Sequence, residues 1–309
     1  MSEDKNYGHK PVLIDEVTKI LVTDLGGLYL DATLGLGGHS AALLNEIAPR
    51  GGKLLGIEWD PEAFAIARER LKTYGSAFQG ECGNYRRLAT IAEAKNFFPL
   101  TGALFDLGAN SIHFDRPERG FSFNADGPLD MRFSPENPLT AEAIVNAWPE
   151  HQLATLFQEF GEEPLAGSIA HSIIKRRVDK PFHTTKDLAE HVVAGLPRAL
   201  AIKAHIHPAT RVFMALRIAV NRELENLTDG LKSAVGLLRG GGRIAVISFH
   251  SLEDRIVKNA FASFVAQGSC RYIADKGISK VIYPSSQEVE KNARARSAKL
   301  RCVERIWPS

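Results

Sequence analysis

Through the first 106 residues, short unbroken apolar runs alternate with stretches of helical spacing, and the runs end at carboxylates. Leu28 to Asp31 is the first run, and a glycine-rich turn follows at once. His39 to Ile47 then predicts a helix, with Ala42, Leu43 and Ile47 on one side. Lys53 to Ile57 predicts a second strand that runs into Glu58 and Asp60, and Pro61 suits the first turn of the next helix. Ala63, Ile66, Ala67 and Leu71 give that helix an apolar stripe. Ala77 to Glu81 and Gly102 to Asp106 complete the rhythm as two further strands. This β-α-β-α-β order predicts an α/β fold built on a parallel, doubly wound sheet, with its loops gathered at the carboxyl ends of the strands.

Beyond Asp106 the pattern changes. Helical spacing dominates from about Asp115 to His205, without a convincing strand. Leu153, Leu156, Phe157 and Phe160 predict one helix, stopped by Gly161. Leu165, Ile169, Ile173 and Ile174 predict another, whose closing Lys175, Arg176 and Arg177 suit the negative end of its dipole. Thr184 with Asp187 three positions on opens a third. The segment reads as a helical insertion. Phe213, Leu216, Val220, Leu224, Leu227 and Leu231 then predict one long helix starting near Pro208. Arg243 to Phe249 returns to a buried-strand pattern, and the alternation through Leu300, Cys302, Val303 and Ile306 suggests a last antiparallel strand. No internal repeat or low-complexity tract interrupts the chain.

Composition narrows the class without naming an activity. A 44% hydrophobic and 24% charged chain has ordinary globular values. The net charge of +2 carries no global nucleic-acid signal. Cys82, Cys270 and Cys302 form no CxxC pair, and His9, His39, His205 and His207 have no metal spacing, so no metal site is expected. The first ten residues resemble neither a secretory signal nor a transit peptide, and no apolar run reaches membrane-spanning length. These features predict a soluble cytoplasmic protein. Local charge says more: Arg294, Arg296, Lys299 and Arg301 lie within ten residues without an acid, either a phosphate footprint or a solvated basic strand.

The turn from Asp31 to His39 follows a strand and opens a helix, with glycines at 35, 37 and 38. Its spacing is not the GxGxxG of dinucleotide binding. With Glu58 placed to accept from both ribose hydroxyls, and Asp106 ending a further strand, the arrangement suits a nucleoside cofactor.

Seven motifs then occur in order: His9 to Leu13, Asp31 to Ser40, Arg119 to Phe123, Gly127 to Arg132, His207 to Arg211, Ser248 to Arg255 and Asn292 to Arg301. Together they resemble the bacterial ribosomal RNA small-subunit methyltransferase H (MraW) family over nearly the whole chain. The resemblance implies a class I (Rossmann-like) sheet dependent on S-adenosyl-L-methionine, comprising residues 1–114 and 206–309, with an inserted helical substrate-recognition domain at 115–205. It implies methylation of the exocyclic N4 amine of a cytidine in 16S ribosomal RNA, within the assembled small subunit, by a cytoplasmic enzyme; a homodimer is compatible with it. Matched residue by residue, the cofactor contacts are Gly37, Gly38, His39, Glu58, Tyr85, Asp106 and His113. The family more often has Asp at Glu58, Ser at Asn110, and Gln at both His113 and Met214.

A cytosine amine is a weak nucleophile because its lone pair is delocalised, so the site must align it and accept its hydrogen bonds. Asp106, Asn110 and Ser111 are the candidate acceptors; Asn110 is equally readable as a turn former. His250, ending the returning strand, is a candidate base or a structural residue. Phe121 and Phe123 are readable as base-stacking or as packing rings. Arg132 and Arg211 are readable as partners of carboxylates or of RNA. Two rival readings remain open: an idle RNA-binding assembly factor, and an amine methyltransferase acting on another nucleic acid.

Overall fold

Seven strands form one sheet in the computed structural model, which describes residues 11–195, 207–273 and 281–306; His9 and His205 lie outside them. The strands are β1 (Leu28–Asp31), β2 (Lys53–Glu58), β3 (Phe78–Cys82), β4 (Leu100–Asp106), β5 (Leu238–Ser248), β6 (Cys270–Tyr272) and β7 (Lys299–Arg305). Their order is β3-β2-β1-β4-β5-β7-β6. The first five are parallel, and β7 inserts antiparallel between β5 and β6. The strand order reverses between β1 and β4, and ligands of open parallel sheets bind at such a switch point.

Alternation along the strands explains why both faces are covered. Leu30, Ala103, Phe105 and Val246 pack on one face with Leu227, Leu231, Val257 and Phe261 from the neighbouring helices. Tyr29, Leu104, Ala245 and Ile247 pack on the other with Val17, Leu43 and Leu44. Strands buried on two faces read as unbroken apolar runs, as β4 does.

The chain divides into two compact units, Met1–Gly108 with Leu224–Ser309, and Ala109–Glu223. The second is helical, and no strand is named among its described residues. Leu153, Phe157, Ile169, Ile173, Leu188 and Phe213 lie in its core. The cations closing the helix Ala166–Arg177 bind outward rather than capping their own terminus. Arg177 donates to the carbonyls of Val145 and Trp148, both at 2.8 Å, and the Arg176 guanidinium lies 4.1 Å from the centre of the Phe182 ring.

Two features differ from the pattern-based expectation. The long helix is two, Ala209–Asn221 and Glu223–Leu237, broken where Arg222 adopts the left-handed region at φ 50°. Asn221 spends its side chain on the Met131 carbonyl (2.7 Å) and the Phe133 amide (2.8 Å). Both helices bury an apolar face, so the periodicity runs through the break and hides it. The short edge strand β6 was not expected, because three residues leave no room for alternation.

Candidate active site

The turn after β1 is organised by buried acids. Asp31 accepts from the Ser40 hydroxyl at 2.7 Å and from the Thr33 amide at 3.2 Å. Burial nonetheless raises its pKa to about 6. Thr33 ties the turn to β4, its hydroxyl accepting from the Asp106 amide at 2.6 Å. Gly37 sits at φ 78°, a region side chains with a Cβ avoid, and a Cβ at Gly38 would meet Pro11 Cγ at 2.3 Å. Gly35 shares the positive φ, at 53°, but a Cβ there would meet only the Thr33 carbonyl, at 3.9 Å. The backbone is therefore open to a ligand at Gly35, whereas the other two glycines answer to the protein's own packing.

Glu58 ends β2 and holds this turn. Its carboxylate accepts from the Gly35 amide at 2.7 Å and the Asp60 amide at 2.8 Å, one per oxygen. Asp60 in turn caps the helix Pro61–Leu71 through the amides of Glu62 and Ala63. Burial pushes Glu58 up to about 7. Each oxygen keeps a second lone pair for another donor.

Asp106, closing β4, keeps an unsatisfied oxygen. Its Oδ1 is buried without a hydrogen-bond partner, and Oδ2 lies 3.6 Å from Nε2 of His39. Burial, then the charges of Asp31 and Glu253, raise its pKa to about 8. His39 is buried at the start of the helix Gly38–Ile47, neither ring nitrogen hydrogen-bonded, and burial lowers its pKa to about 4. It is therefore neutral at physiological pH and cannot balance the carboxylates.

His250 is turned onto its own helix. It caps Ser251–Ala266 in a reciprocal box with Glu253, its Nδ1 accepting from the Glu253 amide at 3.5 Å and its Nε2 lying 3.1 Å from Glu253 Oε1. The cap uses Nδ1, while Nε2 is buried without a hydrogen-bond partner. Tyr85 packs edge-on to Phe105, ring centres 5.7 Å apart, and a Cβ on Gly230 would meet its ring at 2.8 Å. It offers a fixed aromatic edge beside the sheet.

The remaining candidates belong to the second unit. Asn110 and His113 cap the helix Ser111–Asp115 reciprocally: Asn110 Oδ1 accepts from the His113 amide at 3.4 Å, and His113 Nδ1 from the Asn110 amide at 3.2 Å. Ser111 is buried beside them. His113 stacks on Phe121 at 4.7 Å, and Phe121 on Phe133 at 5.5 Å. Phe121 is thus a core ring, not an exposed stacking platform. Phe123 stacks on His207 at 4.4 Å. Arg132 is committed to Asp130 through two bonds, at 2.9 and 2.7 Å. Arg211 Nη1 lies 3.9 Å from Glu163. Replacing Asn110 with Ala is expected to cost about 1 kcal/mol of stability, and replacing it with Ser almost none, as measured by denaturant unfolding. Equal losses in both would contradict the cap.

The structure brings His39, Glu58, Tyr85, Asp106 and His250 into the first unit and Asn110, Ser111 and His113 into the second. Sequence reasoning missed Glu253 and Asp31 as members of the acidic cluster. The basic stretch is half consumed internally: Lys299 and Arg301 bind Asp254 at 3.2 and 2.6 Å, while Arg294 and Arg296 are exposed. Among the described residues no helix is long and apolar enough to cross a membrane.

The donor set fits one kind of cofactor. Glu58 suits a ribose diol, Tyr85 a flat base, and the Asp31, Asp106 and Glu253 cluster, with an orphaned oxygen, suits positive charge. At the switch point of this sheet order, those features define a class I methyltransferase dependent on S-adenosyl-L-methionine. The chain belongs to the MraW methylase family, which matches it over residues 6–306. It is 46% identical to the Ribosomal RNA small subunit methyltransferase H of Thermomicrobium roseum, over 96% of this chain and 94% of that one. The proteins of the same name from Dehalococcoides mccartyi and Geobacter sulfurreducens are 45% and 43% identical, each over 97% of this chain and over 87% and 99% of their own lengths.

Proposed function

We propose that this methyltransferase transfers a methyl group to the exocyclic N4 amine of a cytidine in small-subunit ribosomal RNA, in the cytoplasm and on the assembled subunit. The observation that carries the reading is Asp106: a half-buried carboxylate with one buried, unpartnered oxygen, at the switch point of a chain that matches the MraW family almost end to end. When bound, S-adenosyl-L-methionine supplies an electrophilic methyl group on a positively charged sulfur. Glu58 holds the ribose with the lone pairs left over from the turn amides, and the turn at Gly35 admits the ligand against the backbone. Tyr85 would flank the adenine. Gly37 and Gly38 shape the start of the helix, and His39 lies against the carboxylate of Asp106.

A positively charged cofactor held near Asp106 would favour its ionised form, opposing the burial that raises its pKa. The carboxylate then accepts from the target amine as charge develops on nitrogen, which aligns the lone pair and drains the proton. Asn110 is the weaker acceptor candidate, since its oxygen already caps a helix. His250 supports the site's shape through its cap on the helix Ser251–Ala266.

The test uses the full chain with isotopically labelled cofactor and three acceptors: assembled small subunits, naked small-subunit RNA, and DNA. Label in the subunits, recovered as N4-methylcytidine by mass spectrometry, is expected. Label in DNA alone overturns the substrate, and naked RNA labelled in preference to subunits overturns the assembled form. RNA binding with no transfer to any acceptor returns the chain to an assembly role.

A further inference from the structure

The segment Pro11 to Leu13 is a strap across the cofactor turn, and it is held from the far end of the chain. The Leu13 amide donates to Glu288 Oε1 at 2.7 Å, across 275 residues of sequence. Leu13 itself adopts the left-handed region at φ 57°, unfavourable for a side chain with a Cβ, and is fully buried. A strained residue persists only where its surroundings hold it, and here a charged acceptor grips its amide. One residue back, Val12 packs in the same apolar cluster as Leu34 of the turn and Leu43 of the following helix. Pro11 presses its ring so closely on Gly38 that no Cβ fits between them.

Glu288 is itself set for this purpose. It sits in the first turn of the short helix Ser286–Lys291, where the Ser285 hydroxyl accepts from its amide at 3.2 Å, and Val289 beside it packs on the cluster that contains Leu13. The contacts form one line: Glu288 to Leu13, Pro11 to Gly38, and His39 to Asp106.

We infer that Glu288 is a positioning residue for cofactor binding: it latches the Pro11–Leu13 strap onto the start of the helix bearing Gly38 and His39. The latch needs an acceptor at that reach and no negative charge as such. It touches neither the cofactor nor the RNA.

This rests on the cofactor reading above, and the experiment separates the two. Binding of S-adenosylhomocysteine to the full chain is measured by calorimetry, and exchange of the Leu13 amide by hydrogen exchange. Glu288→Ala is expected to weaken binding by up to about tenfold, the upper end of the effect of losing one hydrogen bond, and to free the Leu13 amide for exchange. Glu288→Gln keeps the acceptor and is expected to restore both. Glu288→Asp falls short by a methylene and is expected to behave as Ala does. In turnover, Glu288→Ala is expected to raise KM for the cofactor while leaving kcat and KM for the RNA substrate unchanged. Unchanged binding in Glu288→Ala overturns the latch, as does a loss that Gln fails to rescue or a fall in kcat with KM unmoved. If Glu288→Ala does not fold, the Gln and Asp variants decide by the same contrast. A wild-type chain that binds no S-adenosylhomocysteine overturns the cofactor reading instead.

Discussion

Replacing Asp106 with asparagine is expected to lower turnover by at least about a hundredfold, the usual effect of removing a preorganised electrostatic partner of a transition state, and to make the unliganded chain more heat-resistant at high pH. The two effects share one cause. Asp106 is half-buried, and desolvation with the charges of Asp31 and Glu253 sets its pKa at about 8. Asp31 and Glu58 stand at about 6 and about 7, again through burial. All three folded-state values lie above the ordinary carboxyl range, so the folded chain binds protons more tightly than the unfolded one. Stability from these groups is complete below the ordinary carboxyl pKa and is lost as pH rises through about 6 to about 8. Asparagine cannot ionise, so the Asp106 share of that loss disappears. Melting followed from about pH 4 to about pH 9 is expected to show no gain for Asp106→Asn at the acid end and a clear gain at the alkaline end. A chain that melts in parallel with wild type throughout, with turnover intact, would remove Asp106 from the chemistry. Active sites commonly store instability of this kind, because groups arranged for a charged ligand repel one another without it.

How much of this was legible beforehand follows from the range of each interaction. The sheet was readable because burial on both faces leaves unbroken apolar runs, and because the ends of those runs carry the acids Asp31, Glu58 and Asp106. Spacing alone could not show that Arg222 interrupts a helix, since a single left-handed residue leaves the apolar rhythm on both sides intact. The roles of Asn110 and His113 were half visible. A three-residue separation fits a cap, but only coordinates show each side chain bonded to the other's amide. Glu253 was invisible as a site residue because it acts on Asp106 from the helix after β5, far away in sequence. The Glu288 bond to Leu13 was beyond reach for the same reason: local pattern carries no information about a contact 275 residues away.

Glu58 offers the sharpest contrast among conservative changes. Its two oxygens already accept from Gly35 and Asp60, at 2.7 and 2.8 Å, so the residue shapes the turn before it meets any ribose. Glu58→Ala removes both acceptors, leaves two amides seeking water, and deprives the ribose hydroxyls of their partner. Hydrogen bonds to a charged group are worth about 1.5–3 kcal/mol each, so losing the ribose pair alone is expected to weaken cofactor binding by at least about a hundredfold. Glu58→Gln, nearly identical in volume, is expected to fall well short of rescue. Its NH₂ group must face one of the two amides, setting donor against donor, whichever way the side chain flips. Glu58→Asp keeps two acceptor oxygens at a shorter reach and is expected to lose least. Acidification gives an independent check. With the Glu58 pKa at about 7, protonation converts one acceptor into a donor, so affinity is expected to fall as pH drops through that value in wild type and to stay flat there in Glu58→Gln. Calorimetric titration of the three variants with S-adenosylhomocysteine at two pH values measures both effects. If Glu58→Gln binds as tightly as wild type, the carboxylate is not what holds the ribose, and the end of β2 loses its assigned role.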